Sequence, residues 1–153
     1  MSEGVETRIL LIDDVDAILA FESGRLAKTN LDPMEREMAG WSARYRKEAL
    51  EHYLPKGWCF GSFMNGQLVG YVLAQPFLFL RGLTQTLWIE ALSSDHPGVA
   101  KTLIETTHKW ARDKHLQCLL MELSPQTEFV LTQWPQSHKV DGELIELKSS
   151  RYQ

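Results

Sequence analysis

The stretch Thr86-Leu87-Trp88-Ile89-Glu90-Ala91-Leu92-Ser93-Ser94-Asp95-His96-Pro97-Gly98-Val99-Ala100-Lys101 changes its period halfway along. The first seven residues are an apolar run interrupted by one carboxylate, the pattern of a largely buried strand. Ser93 to Gly98 is turn-rich. From Val99 onward, Val99, Leu103, Ile104, Thr107, Trp110 and Ala111 fall on one helical face, and Lys101, Glu105, Lys109 and Arg112 on the other. A strand, a short glycine-containing loop and a helix together make an anion site. The first turn of a helix has N–H groups without intrahelical partners, and its dipole favours negative charge there. Gly98-Val99-Ala100 leaves room for a close approach to that backbone.

Upstream, Thr7 to Ile12 reads as a first strand, and Asp13, Asp14 and Asp16 then mark a helix start. Val15, Ile18, Leu19 and Leu26 share one face of that helix, which is expected to run to about Lys28. Asp32-Pro33 starts a second helix, with Pro at the first helical position. Its apolar stripe is Met34, Met38, Trp41 and Tyr45, its polar face Glu37, Arg44, Lys47 and Glu51, and it ends before Pro55-Lys56-Gly57. Trp58 to Met64 and Leu68 to Ala74 flank Asn65-Gly66, which predicts a hairpin with a type I′ turn. Pro76 marks an irregularity or the end of that third strand.

Downstream, Gln117 to Leu123 is a buried strand, Thr127 to Trp134 a short helix or turn, and Glu143 to Lys148 a last strand. The order is β-α-α-β-β-β-α-β, a poorly defined element, then β: a mixed α/β domain. No repeat or linker divides it, so residues 1–153 read as one domain.

Composition narrows the partners. Sixteen Lys and Arg against 20 Asp and Glu give a net charge of −4, with 44% apolar and 24% charged residues. This composition argues against disorder, and the absence of a strongly basic stretch argues against nucleic acid. No apolar run reaches ~18 residues, so no membrane span is expected. The N-terminus lacks a signal-peptide core, so the expected location is cytoplasmic. Cys59 and Cys118 lie in apolar runs and read as buried thiols rather than a bridge. His108 and His115 have no companion ligands, so no metal site is expected.

The element order, together with Gly98-Val99-Ala100 between the fourth strand and the third helix, resembles the GCN5-related N-acetyltransferase (GNAT) family. The resemblance covers most of the chain in element order, but its sequence-specific part lies near residues 87–123. It implies an α/β (α+β) fold with a mixed, mostly antiparallel central sheet of about 6–7 strands and about 3–4 flanking helices, its fourth and fifth strands splayed. The implied cosubstrate is acetyl-CoA, its pyrophosphate held by the amides of His96, Gly98, Val99, Ala100 and Lys101, with Ser94 and the Lys101 side chain assisting. The backbone of Leu92 would polarise the thioester carbonyl, with Ala91 and Ser93 flanking the pantetheine arm and Ser124 touching the cofactor. The acceptor would be a primary amine of a small molecule or protein, and a homodimer is a common arrangement in the family.

Direct acyl transfer needs a neutral amine, yet an alkyl ammonium has a pKa of ~10. A proton acceptor is therefore required, and Glu90 is the candidate. Glu122, the other strand carboxylate, reads as solvent-facing. Two departures from the family pattern stand out. Asp95 occupies a position usually held by Gln or Arg, and residues 126–140 contain no Tyr to protonate the thiolate, which leaves Tyr71 or Tyr152 as substitutes. A non-catalytic module that binds acyl-CoA or a protein partner is thus an open alternative. Phe77-Leu78-Phe79-Leu80 is an acceptor-site wall or a dimer surface.

Overall fold

Seven strands form one sheet in the order β1-β2-β3-β4-β5-β7-β6. The computed structural model describes residues 4–27, 32–35, 46–78 and 85–149. The strands are β1 (Val5–Ile9), β2 (Phe60–Met64), β3 (Gln67–Leu78), β4 (Gln85–Ser94), β5 (Cys118–Glu122), β6 (Ser137–Val140) and β7 (Leu144–Lys148). The α-helices are α1 (Val15–Ala27), α2 (Lys47–Tyr53), α3 (Pro97–Asp113) and α4 (Phe129–Gln133). Every neighbouring pair is antiparallel except β4 with β5. This is the mixed, mostly antiparallel sheet that the family resemblance implies.

Each face of the sheet carries a core. Under α3, Phe60, Val72, Ala74, Leu87, Ile89 and Leu92 pack with Val99, Leu103, Ile104, Leu119 and Met121. Under α1 and α2, Leu10, Val15, Ile18, Leu50, Tyr53, Leu54 and Leu73 pack together. The alternation Val72, Leu73, Ala74 between the two cores is the strand period at work. Asn65 (φ 53°) and Gly66 (φ 79°) both adopt the left-handed conformation that a type I′ turn requires. Cys59 and Cys118 are buried free thiols, and burial pushes each up to about 11.

Several boundaries differ from the sequence reading. β1 stops at Ile9. Leu11 and Ile12 are exposed, and Asp14 turns the chain into a 3-10 turn by accepting from the Leu11 amide at 2.8 Å and pairing with Arg8 at 2.9 Å. The second helix is not continuous: residues 33–35 are helical, but Arg46 is extended (ψ 151°) and begins α2 anew. Met34 is exposed rather than packed. Glu37, Met38, Trp41, Arg44 and Tyr45 of the predicted faces, the Leu26 side chain, Phe79, Leu80 and Tyr152 lie outside the described residues. Pro76 stays within β3, paired with Leu87. β2 accompanies β3 only to Phe60↔Val72, so a missing N–H further along β3 is tolerated. Among the described residues no helix is long and apolar enough to cross a membrane.

Candidate active site

β4 and β5 pair only from Thr86↔Cys118 to Ile89↔Met121. Beyond that point β4 continues on β3 as far as Ser94, and β5 continues on β7 through Glu122↔Leu144. The two strands therefore diverge. Between them lies a cleft of about 160 Å³ lined by Ile89, Glu90, Ala91 and Leu92 on one side and Met121, Glu122, Ser124, Gln126 and Thr127 on the other. A second cavity of about 300 Å³ continues past Leu92 and Gln126 to the start of α3, where Ser94, Asp95, His96, Pro97 and Ala100 meet Phe129 and Gln133 of α4.

The backbone of β4 points into this opening. The Asp95 amide donates to the Val69 carbonyl at 3.0 Å, and Ser93 and Leu92 lie opposite Tyr71 and Val72. Antiparallel ladders alternate between residues that bond to the partner strand and residues that face away from it. Asp95, Ser93 and Ala91 thus bond toward β3. Ser94 and Leu92 present their N–H and C=O groups on the opposite edge, where β5 has already departed.

Glu90 owes its placement to a bulge. The register runs Leu73↔Ala91 and then Ala74↔Ile89, so Glu90 is the extra residue of β4. The bulge also reverses the facing of the residues beyond it, because Ile89 and Leu92 both join the α3 core while Ala91 packs with the α1 and α2 core. Glu90 is half-buried at the cleft. Its Oε1 accepts from the Trp88 indole Nε1 at 3.0 Å and from the Tyr53 hydroxyl at 3.3 Å. Two rigid aromatic donors on one oxygen hold the carboxylate in a fixed orientation.

At the start of α3, Pro97 occupies the first helical position and has no N–H. The Val99 and Ala100 amides both donate to the His96 carbonyl, at 3.1 and 3.2 Å, and their side chains are core. Among the described residues no backbone carbonyl accepts from the His96 or Gly98 amide, and the helix dipole favours negative charge at this end. A Cβ at Gly98 would meet nothing within 4 Å, so packing does not require glycine there and the approach is open. Lys101 is exposed on the next turn, and Asp95 is exposed beside it.

The other sequence candidates divide between the cleft and the core. The Ser94 hydroxyl donates to the His96 carbonyl at 2.9 Å and fixes the loop. Ser124 lines the cleft and is held by Thr127, whose Oγ1 accepts from the Ser124 amide at 2.9 Å. Glu122 is exposed at the cleft mouth, as expected. Ser93 is buried and turned toward α1, and its Oγ donates to Glu22 at 2.7 Å. Tyr71 is 2% exposed and donates to Glu22 at 2.9 Å, so its hydroxyl serves the core rather than the cleft. Sequence reasoning missed Tyr53, which ends α2, and the wall from Pro125 to Phe129. The Ser124-Pro125-Gln126-Thr127 turn pattern was the available signal for that wall. Among the described residues no cluster of His, Cys, Asp or Glu could hold a metal ion.

The splayed parallel pair inside an otherwise antiparallel sheet, with a helix starting at the splay, defines the GNAT fold, and this chain has it. The chain is similar to the PaiA N-acetyltransferase of Thermoplasma acidophilum, solved in complex with coenzyme A: TM-score 0.68, 17% identity, 97% of this chain and 99% of that one covered. It is also similar to a probable acetyltransferase of Staphylococcus epidermidis (TM-score 0.67, 13% identity, 95% and 99% covered). The polyamine N-acetyltransferase of Drosophila melanogaster, whose product is N-acetylagmatine, matches at TM-score 0.63 and 13% identity over 93% and 97%. No protein-family model and no curated protein matches the sequence.

Proposed function

We propose that this chain is an N-acetyltransferase that moves an acetyl group from acetyl-CoA to a primary amine. The observation that carries the reading is the end of β4–β5 pairing at Ile89↔Met121, which opens a slot between two strand edges. An extended, amide-bearing arm entering that slot pairs with the outward N–H and C=O groups of Leu92 and Ser94, as an added strand would. Its diphosphate then reaches the His96 and Gly98 amides at the start of α3, with the Lys101 ammonium nearby. The fold similarity to acetyltransferases, one of them solved with coenzyme A, supports the same reading.

In the reaction, the amine lone pair attacks the thioester carbonyl carbon and a C–N bond forms. The carbonyl oxygen takes up negative charge beside the Leu92 amide. Glu90, steadied by Trp88 and Tyr53, accepts the proton from the amine. The C–S bond then breaks with its electron pair going to sulfur, and the thiolate is protonated from solvent. Calorimetric titration with acetyl-CoA tests binding, and thiol release with a panel of amines tests turnover. Glu90→Gln should lower kcat about 10²–10⁴-fold with coenzyme A affinity unchanged; equal turnover removes Glu90 from the role. Asp95 and Pro97 favour a second reading, a non-catalytic acyl-CoA-binding module, because one adds negative charge and the other removes a donor at the anion site. Thiol release above the amine-free rate excludes it.

A further inference from the structure

Among the described residues, the outer half of β4 has lost β5 and keeps a single strand neighbour, β3. A buried polar cluster sits on that pair. Glu22 of α1 is 6% exposed, and its Oε1 accepts from the Tyr71 hydroxyl of β3 at 2.9 Å and the Ser93 hydroxyl of β4 at 2.7 Å. Tyr71 and Ser93 are register partners. Arg25, one turn along α1, pairs with Glu22 at 3.3 Å and also donates to Ser93 Oγ. One carboxylate thus ties α1 across both strands at Ser93, whose two neighbours, Leu92 and Ser94, turn their backbone groups to the cleft. Burial, then the adjacent Glu22, pushes the Tyr71 hydroxyl far above its ordinary range, so it remains a donor.

Burying a carboxylate is costly, and apolar replacement of buried ionic clusters is often neutral or stabilising. Its presence where β4 lacks a second strand therefore points to alignment more than to stability. We propose that Glu22 is a positioning residue that acts through Ser93 to hold the Leu92 and Ser94 backbone groups in register with the cleft. The proposal rests on the acyl-transfer reading for its kinetic consequence, but not for its structural one.

The test compares Glu22→Met, Glu22→Gln and Ser93→Ala, with Ile18→Val as a control that loosens α1 packing without touching the cluster. Each is assayed for kcat and for coenzyme A affinity, and for amide hydrogen exchange at Ser93 and Asp95, whose amides bond toward β3. Glu22→Met and Ser93→Ala should lower kcat about tenfold, since displacing the Leu92 amide that donates to the reacting carbonyl costs rate steeply, and should speed exchange at both amides. Glu22→Gln keeps an acceptor oxygen and should restore most of kcat, and Ile18→Val should leave kcat and exchange unchanged. Should Glu22→Met fail to fold, Ser93→Ala, which deletes one hydroxyl, decides the question. Wild-type kcat and exchange in folded Ser93→Ala overturn the proposal, as does an equal loss in Ile18→Val. If the wild-type protein neither binds nor turns over acetyl-CoA, the acyl-transfer reading falls, and the exchange rates alone decide the positioning role.

Discussion

Replacing Gly70 by alanine probes the join between the sheet and the start of α3. Gly70 lies opposite Ser94 in the β3–β4 ladder. A Cβ there would stand 2.7 Å from Val99 Cγ1, 2.9 Å from Ser94 Cβ and 3.1 Å from the Ser93 carbonyl oxygen. None of these atoms yields easily: Val99 is β-branched and stiff at χ1 in a helix, and the Ser93 oxygen is backbone. Relief requires the first turn of α3 or the end of β4 to move. Such overpacking costs about 2 kcal/mol. The lower entropy of the unfolded alanine chain offsets about 0.5 kcal/mol of this, leaving a net loss of about 1.5 kcal/mol.

Gly61→Ala is the matched comparison. Its Cβ would meet Leu10 Cδ2 at 2.7 Å and Leu68 Cδ1 at 3.1 Å. Both are ends of flexible side chains in the opposite core, so a net change within about 0.5 kcal/mol of zero is expected. Urea unfolding should separate the two variants by about 1.5 kcal/mol, equivalent to roughly 3–6 °C in Tm for a chain of this size. Gly70→Ala shifts the two elements that flank the anion site, so calorimetry should show coenzyme A binding weakened about tenfold, with Gly61→Ala unchanged. Equal stability of the two alanine variants would refute the packing argument. Equal affinity alone would detach the α3 start from cofactor binding.

Trp88→Phe removes the indole donor to Glu90 and should lower kcat about 10–100-fold, consistent with losing one hydrogen bond to a charged group; an unchanged kcat shows that the bond does not orient the base. Both thiols are raised from their ordinary 9.0 to about 11 in the fold. The unfolded chain therefore sheds these protons first, and stability present below pH 9 should decline as pH rises from about 9 to 11. A Cys59→Ala/Cys118→Ala double variant should show a shallower decline in urea titrations at pH 8 and 10.5, and a parallel decline would refute the assignment. Asp14 is held below its ordinary 3.8, chiefly by the hydrogen bond from Arg8. Its contribution is present above pH 3.8 and is lost as pH falls through the lower folded value. Asp14→Asn should flatten acid unfolding in that range and cost up to about 1 kcal/mol at neutral pH through loss of the ion pair with Arg8.

Local signals carried much of the fold. Asn65-Gly66 located the hairpin because both residues must take positive φ, and the Val99-to-Ala111 stripe located α3 because five of its six residues are buried. β6 was not legible: Ser137-His138-Lys139-Val140 is a short, half-exposed edge strand without apolar alternation. Glu90 as a cleft carboxylate was a candidate from its apolar surroundings taken together with the family resemblance. Its bulge was not, because a strict period of two places Glu90 and Leu92 on one face, and only pairing with β3 shows that they part. Tyr53 and Glu22 were missed for the same reason. Each meets its partners through residues 37 to 71 positions away in the chain, and no local pattern encodes such meetings.

The β4–β5 pair also bears on how the molecule assembles. β1 to β4 and β5, β7 and β6 each complete their antiparallel ladders within their own half of the sheet. The halves meet through four register pairs formed across the whole of α3. Parallel pairing across an intervening helix closes a long loop before it gains contacts, which makes it a slow step in folding. The cleft belongs to neither half, so it comes into being only when they dock, and a molecule bridging it would fasten the seam that forms last.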